Sequence, residues 1–138
     1  MGLHHMQIGE VAAQTGLSLR TIRYYEEVGL VTPSSRTIGG FRLYTETDVA
    51  RLRLVKRMKP LEFSLEEMKN VLEVLDGLEA DPRSPQHAEL ITRLEMYRDA
   101  AMARVNALRE QLDVAGGFAA DLKREISRQR KQAAKQHQ

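Results

Sequence analysis

Apolar positions at helical spacing, separated by turn-forming residues, divide the front of this chain into short elements. Ile8, Val11 and Ala12 fall at i, i+3 and i+4, which predicts a short amphipathic helix, and Gly16 can end it in the left-handed conformation. Ser18 can cap a second helix that runs to about Val28 and stops at Gly29, with Ile22, Tyr25 and Leu30 pointing inward. Two short helices across a tight turn containing Gly, about residues 9–28, make a helix-turn-helix. Past Pro33, Gly39-Gly40 supplies a turn between flanks with β-branched and aromatic residues. That predicts a β-hairpin wing over about 36–44, with Leu43 or Phe41 facing the core. Thr45 caps a third helix with Asp48 three residues on; its apolar side is Val49, Leu52, Val55 and Met58, and Pro60 ends it. Ser64 and Glu67 form a capping box for a fourth helix, with Leu65, Met68, Leu72 and Leu75 on one side and Gly77 at its stop.

Residues 76–84 read as a connector, and Ser84-Pro85 reads as the cap and first residue of a long helix over 85–115. A heptad fits it, with Ile91, Arg98, Val105 and Leu112 at a and Leu94, Ala101, Leu108 and Ala115 at d. Seven of these eight positions are apolar. Little else in the chain could cover such a seam, so the pattern predicts a coiled-coil homodimer whose interface holds Ile91, Leu94, Ala101, Val105, Leu108 and Leu112. Gly116-Gly117 is expected to break the helix, leaving 116–138 as a short second helix, marked by Ala119, Leu122 and Ile126, and a basic tail. Residues 1–5 read as a cloning remnant, with Met6 the first residue of the fold.

Composition narrows the function. The absence of Cys excludes disulfide scaffolds, thiolate metal sites, iron–sulfur clusters and cysteine nucleophiles, and fits a cytoplasmic location. No apolar run approaches a membrane span, so no membrane partner is expected. No metal-ligand cluster, phosphate-cradling Gly loop or nucleophile–base pair is present, and the chain reads as a non-enzyme with no cofactor. Net charge is only +2, but residues 1–60 hold nine Lys and Arg against five Asp and Glu, and residues 61–115 hold six against twelve. A basic front and an acidic middle direct the front towards a polyanion. On the second helix Arg20, Arg23, Tyr24 and Glu27 share a face at i, i+3, i+4 and i+7. Two guanidinium groups and a phenol on one stripe suit a helix in the major groove of double-stranded DNA. Arg36 and Arg42 would carry positive charge on the wing.

The run Ile8-Gly9-Glu10-Val11-Ala12, then Gly16-Leu17-Ser18, Thr21-Ile22-Arg23-Tyr24-Tyr25-Glu26 and Gly29-Leu30, strongly resembles the mercury-resistance-regulator (MerR) family of bacterial transcription regulators. So do Arg36, Gly40-Phe41-Arg42-Leu43-Tyr44 and Phe63-Ser64-Leu65-Glu66-Glu67. The resemblance covers about residues 6–75 and, with the coil, extends to about 115. It implies a mainly α fold: a winged helix-turn-helix, then a long helix forming an antiparallel coiled-coil dimer. It further implies that Arg20 and Thr21 approach base edges or adjoining phosphates, that Arg23, Tyr24 and Arg42 hold the backbone, and that Lys59 makes a second-wing phosphate contact. Ser18 would be a cap first and a phosphate ligand second; Tyr25 and Tyr44 would be structural. Family members bind a pseudo-palindromic spacer between two promoter elements, and bend and untwist it so that RNA polymerase can engage both. The rival reading is an architectural or interaction protein that binds DNA weakly and without sequence preference. Family members usually carry Gly where this chain has Glu62, so the third-to-fourth helix connection is expected to use a non-Gly conformation. Without Cys the soft-metal sensing mode is excluded. Two options remain: a small organic effector at the dimer interface, near Met96, Tyr97, Met102 or Phe118, or no effector.

Overall fold

A computed structural model describes residues 5–136; residues 1–4 of the expected remnant at 1–5 and the tail end at 137–138 lie outside the described residues. The order is α1 (Ile8–Thr15), α2 (Leu19–Glu27), β1 (Ser35–Arg36), β2 (Arg42–Leu43), α3 (Glu46–Met58), a 3-10 turn (Lys59–Leu61), α4 (Leu65–Ala80) and α5 (His87–Gln136). The described residues fall into two compact units that divide after Tyr97.

Local chemistry sets most boundaries of the first unit. Gly16 ends α1 at φ 74, and Ser18 caps α2 by accepting from the Thr21 amide. Thr45 with Asp48, and Ser64 with Glu67, form reciprocal capping boxes. Asp48 is also the anchor of the wing's entry, because its carboxylate accepts from the Ser34 amide at 3.2 Å and the Ser34 hydroxyl at 2.6 Å. The two strands are antiparallel, with Ser35 opposite Leu43 and Arg36 opposite Arg42. Met6 adds a bridge to Tyr44 on the far side, exchanging two backbone hydrogen bonds of 2.8 Å. One core gathers Met6, Val11, Ile22, Tyr44, Leu52 and Val55. Phe41 is exposed at the wing, so of the two core candidates there only Leu43 turns inward, and it is half-buried.

Several boundaries differ from the expectation. Helix α4 passes through Gly77 and ends at Ala80, and Val71 and Val74 are buried while Leu75 is exposed. Gly77 serves close approach rather than termination: a Cβ there would meet Leu90 Cδ1 at 3.1 Å. Helix α5 starts at His87, not at Pro85, because Ser84 Oγ closes a turn by accepting from the Gln86 amide at 3.1 Å. The expected break at Gly116-Gly117 is absent, and α5 is continuous through both residues. A glycine inside a helix costs about 1 kcal/mol relative to Ala, which weakens a helix without stopping it. A glycine ends a helix by taking a positive φ, and neither glycine has one. The flanking turns on the C-terminal side are reinforced by Arg124–Asp121 and Arg128–Glu125 pairs.

Glu62 is the other departure. It sits at φ 62, ψ 28, the left-handed conformation that Gly prefers, rather than in a conformation suited to its side chain. A Cβ in this region costs about 1 kcal/mol. Comparing two side-chain deletions therefore isolates the backbone effect. Glu62→Gly should be more stable to urea than Glu62→Ala by about 1 kcal/mol, reversing the usual order of these residues. A more stable Ala variant would contradict the assignment.

Candidate nucleic-acid interface

The α2 N-terminus is built first by its cap. Ser18 Oγ accepts from the Thr21 amide at 3.0 Å and donates to Thr21 Oγ1 at 2.9 Å, which fixes the first turn. Burial of Ile22 and Tyr25 then sets the helix's rotation, so that Arg20, Arg23 and Tyr24 are exposed. Tyr24 retains half of its surface and packs obliquely on Tyr25, with ring centroids 5.9 Å apart. Arg20, Arg23 and Lys59 have no ion pair or side-chain hydrogen bond among the described residues. Lys59 lies on the 3-10 turn after α3, yet it lines the same cleft as Arg20, Thr21 and Tyr24. Four of the residues singled out in the sequence thus meet on one surface.

The wing arginines behave differently. Their strand register sets Arg36 directly opposite Arg42, an arrangement of like charges that is unfavourable by itself. Glu26, in the last turn of α2, resolves it: one carboxylate oxygen takes Arg36, and the other takes Arg42 Nε at 2.8 Å. Burial alone would raise the Glu26 carboxyl, but the hydrogen bond and charge of Arg42, then those of Arg36, outweigh it and hold the group below the usual carboxylate range. Arg36 also donates to the Gly40 carbonyl at 3.2 Å. Both guanidinium groups are thus engaged within the domain, and Glu26 ties the wing to α2. The sequence gives Glu26 no role, because it lies in α2, ten and sixteen residues before the two wing arginines it joins.

The basic residues of α3 divide likewise. Arg51 pairs with Asp76 of α4. Arg53 and Lys56 donate to the Gln14 and Thr15 carbonyls at 3.2 and 2.8 Å, closing the C-terminal end of α1 with cations. These charges hold the helices together. Tyr25 and Tyr44 are 4% and 0% exposed, as structural residues should be, and burial pushes both phenols up. Neither hydroxyl has a hydrogen-bond partner among the described residues. Among those residues, too, no acidic or His cluster could hold a metal ion, and no helix is long and apolar enough to cross a membrane.

Residues 6–75 match the model of the MerR HTH family regulatory protein, and residues 49–115 match that of the MerR DNA-binding region. The chain belongs to the MerR family. Within that family it is 44% identical over 77 residues to the mercuric resistance operon regulatory protein of Bacillus cereus, covering 56% of this chain and 58% of that protein. It is 33% identical over 111 residues to the transcriptional regulator CueR of Salmonella typhi, covering 78% of this chain and 76% of CueR. The chain spans about half the length of several curated MerR relatives, as little as 46% for the heavy metal-dependent regulator of Rhizobium meliloti. Among solved structures, the transcription regulator PbrR691 of Ralstonia metallidurans in complex with lead(II) shares 28% identity at a TM-score of 0.57, with 86% of each chain covered. HiNmlR, a MerR regulator lacking the sensor domain and bound to promoter DNA, gives a TM-score of 0.66 over 85% of this chain and 89% of that one, at 22% identity, which supports the fold.

Proposed function

We propose that this MerR-family chain is a sequence-specific DNA-binding transcription regulator, acting as a homodimer on a pseudo-palindromic promoter spacer in the cytoplasm. The observation that carries the reading is the convergence of unpaired Arg20 and Lys59 with Thr21 and Tyr24 on one surface, with Arg23 free on the same helix. A surface of unneutralised cations around a helix of major-groove size suits phosphates and base edges together. Arg36 and Arg42 would contribute through the wing's position, with Glu26 holding them beside α2.

The homodimer is supported by the apolar residues of α5 that the single chain leaves exposed, among them Leu108, Leu112, Leu122 and Ile126. Paired copies would present two α2 helices to successive grooves of a duplex. Bending and untwisting of the spacer would then let RNA polymerase reach both promoter elements, at a deformation cost of a few kcal/mol.

Binding of variants to selected and random duplexes tests the surface. Arg23→Ala should weaken binding to both and reduce the slope of log K against log salt by about 1 per chain. Arg20→Ala should in addition narrow the gap between selected and random sequences by about 1–3 kcal/mol per lost base contact. An unchanged salt slope for Arg23→Ala would remove the phosphate assignment. Equal affinity of the unaltered protein for both duplexes would favour an architectural role.

A further inference from the structure

The surface that gathers Arg20 and Lys59 is not flat. Between α2 and the corner joining α3 to α4 lies a cleft of about 480 Å³, within the range of small-molecule sites. Its chemistry is two-sided. Arg20 and Lys59 stand on it as unpaired cations, while Tyr25, Phe63, Leu65 and Met68 give it an aromatic and aliphatic wall. Tyr25 is 4% exposed, and its hydroxyl is enclosed with no hydrogen-bond partner, an unmet polar group of the kind that buried sites normally satisfy.

A phosphodiester alone would use the cations and leave the wall uncovered. A hydrocarbon alone would use the wall and leave the cations without a counter-charge. An amphipathic organic anion satisfies both.

We infer that this cleft is an effector site for a small aromatic carboxylate, whose ring packs on Phe63, Leu65 and Met68 and whose carboxylate faces Arg20 and Lys59, so that its binding excludes DNA. The exclusion rests on the proposed DNA-binding role of the same two cations. It gives the protein a direct route of release from its operator.

Calorimetric titration of the full chain with 1-naphthoate tests the site, with the neutral 1-naphthylmethanol and inorganic phosphate as controls. Naphthoate should bind one per chain with Kd of roughly 0.1–1 mM, and each control about tenfold more weakly or not at all. Leu65→Trp fills the cleft from its apolar wall. It should weaken naphthoate about tenfold while helix content by circular dichroism stays unchanged. Lys59→Gln, at an exposed position, should weaken naphthoate similarly and serves if Leu65→Trp fails to fold. Naphthoate should also displace a fluorescent duplex competitively. Phosphate binding as tight as naphthoate, naphthoate affinity unchanged in Lys59→Gln, or naphthoate and duplex bound together would overturn the inference. Saturable naphthoate binding by a protein that binds no duplex would keep the ligand site and remove the DNA reading. Duplex binding with no naphthoate binding would do the reverse.

Discussion

Replacing Leu108 with Lys is expected to convert the proposed homodimer to a monomer and to weaken operator binding about a hundredfold or more. Leu108 is 37% exposed in the single chain and lies in the middle of an apolar seam on α5. Because the helix continues through Gly116-Gly117, the heptad that places Val105 and Leu112 at a and Leu108 and Ala115 at d runs on to Ala119, Leu122 and Ile126 in a single register. A seam of this length, rather than one ending near Ala115, is what a partner would cover. Lys at a central d position must either take its ammonium out of water or separate the two helices, and both cost several kcal/mol. The affinity loss follows because a dimer's second half-site binds at the effective concentration set by the first. Sedimentation velocity reads the association state, and anisotropy with a labelled duplex reads the affinity. A variant that still sediments as a dimer would show the interface to lie elsewhere.

The second large effect is expected at Glu26. Glu26→Ala leaves Arg36 and Arg42 opposite each other with no shared carboxylate, and should destabilise the domain by about 1–3 kcal/mol. Duplex affinity should fall as well, although the change adds net positive charge, because the wing loses its tie to α2. A general charge effect would predict the opposite sign, so tighter binding by Glu26→Ala would refute the positioning role. The pH dependence gives a second readout. The Glu26 carboxyl is held below its ordinary value in the folded state, so the stability it contributes is fully present above the unfolded value near 4.5 and is lost as pH falls through the folded value. Glu26→Gln should therefore flatten the acid limb of stability against pH below about 4.5, and leave the neutral-to-alkaline limb parallel to that of the unaltered protein.

The elements that the sequence reveals well are those whose deciding contacts are local. Caps at Ser18, Thr45 and Ser64 act over three residues, and Gly16 ends α1 through its own φ, so spacing alone exposes them. The inward set Ile22, Tyr25 and Leu30 follows from helical period and turn position for the same reason. Charged residues were less legible because a guanidinium or ammonium has many possible partners and tertiary structure chooses among them. Arg53 and Lys56 reach carbonyls 39 and 41 residues away, and Arg42 reaches Glu26 across 16. Arg36 and Arg42, expected on the wing, are held to Glu26 within the domain, a pairing that spacing alone does not expose. Gly116-Gly117 misled in another way: composition states a helix penalty, but not whether the neighbouring turns are strong enough to absorb it. Glu62 shows the limit of residue preference, since the chain keeps a left-handed corner there without glycine.

Footprinting on the promoter upstream of the protein's own gene tests the central claim most directly, with the chain at concentrations that saturate a selected duplex. The account predicts one protected segment lying between the two promoter elements, symmetric about its centre, with enhanced cleavage at the midpoint where the DNA is bent. Protection lying wholly outside the spacer, or a uniform weakening of cleavage with no bounded segment, would contradict it.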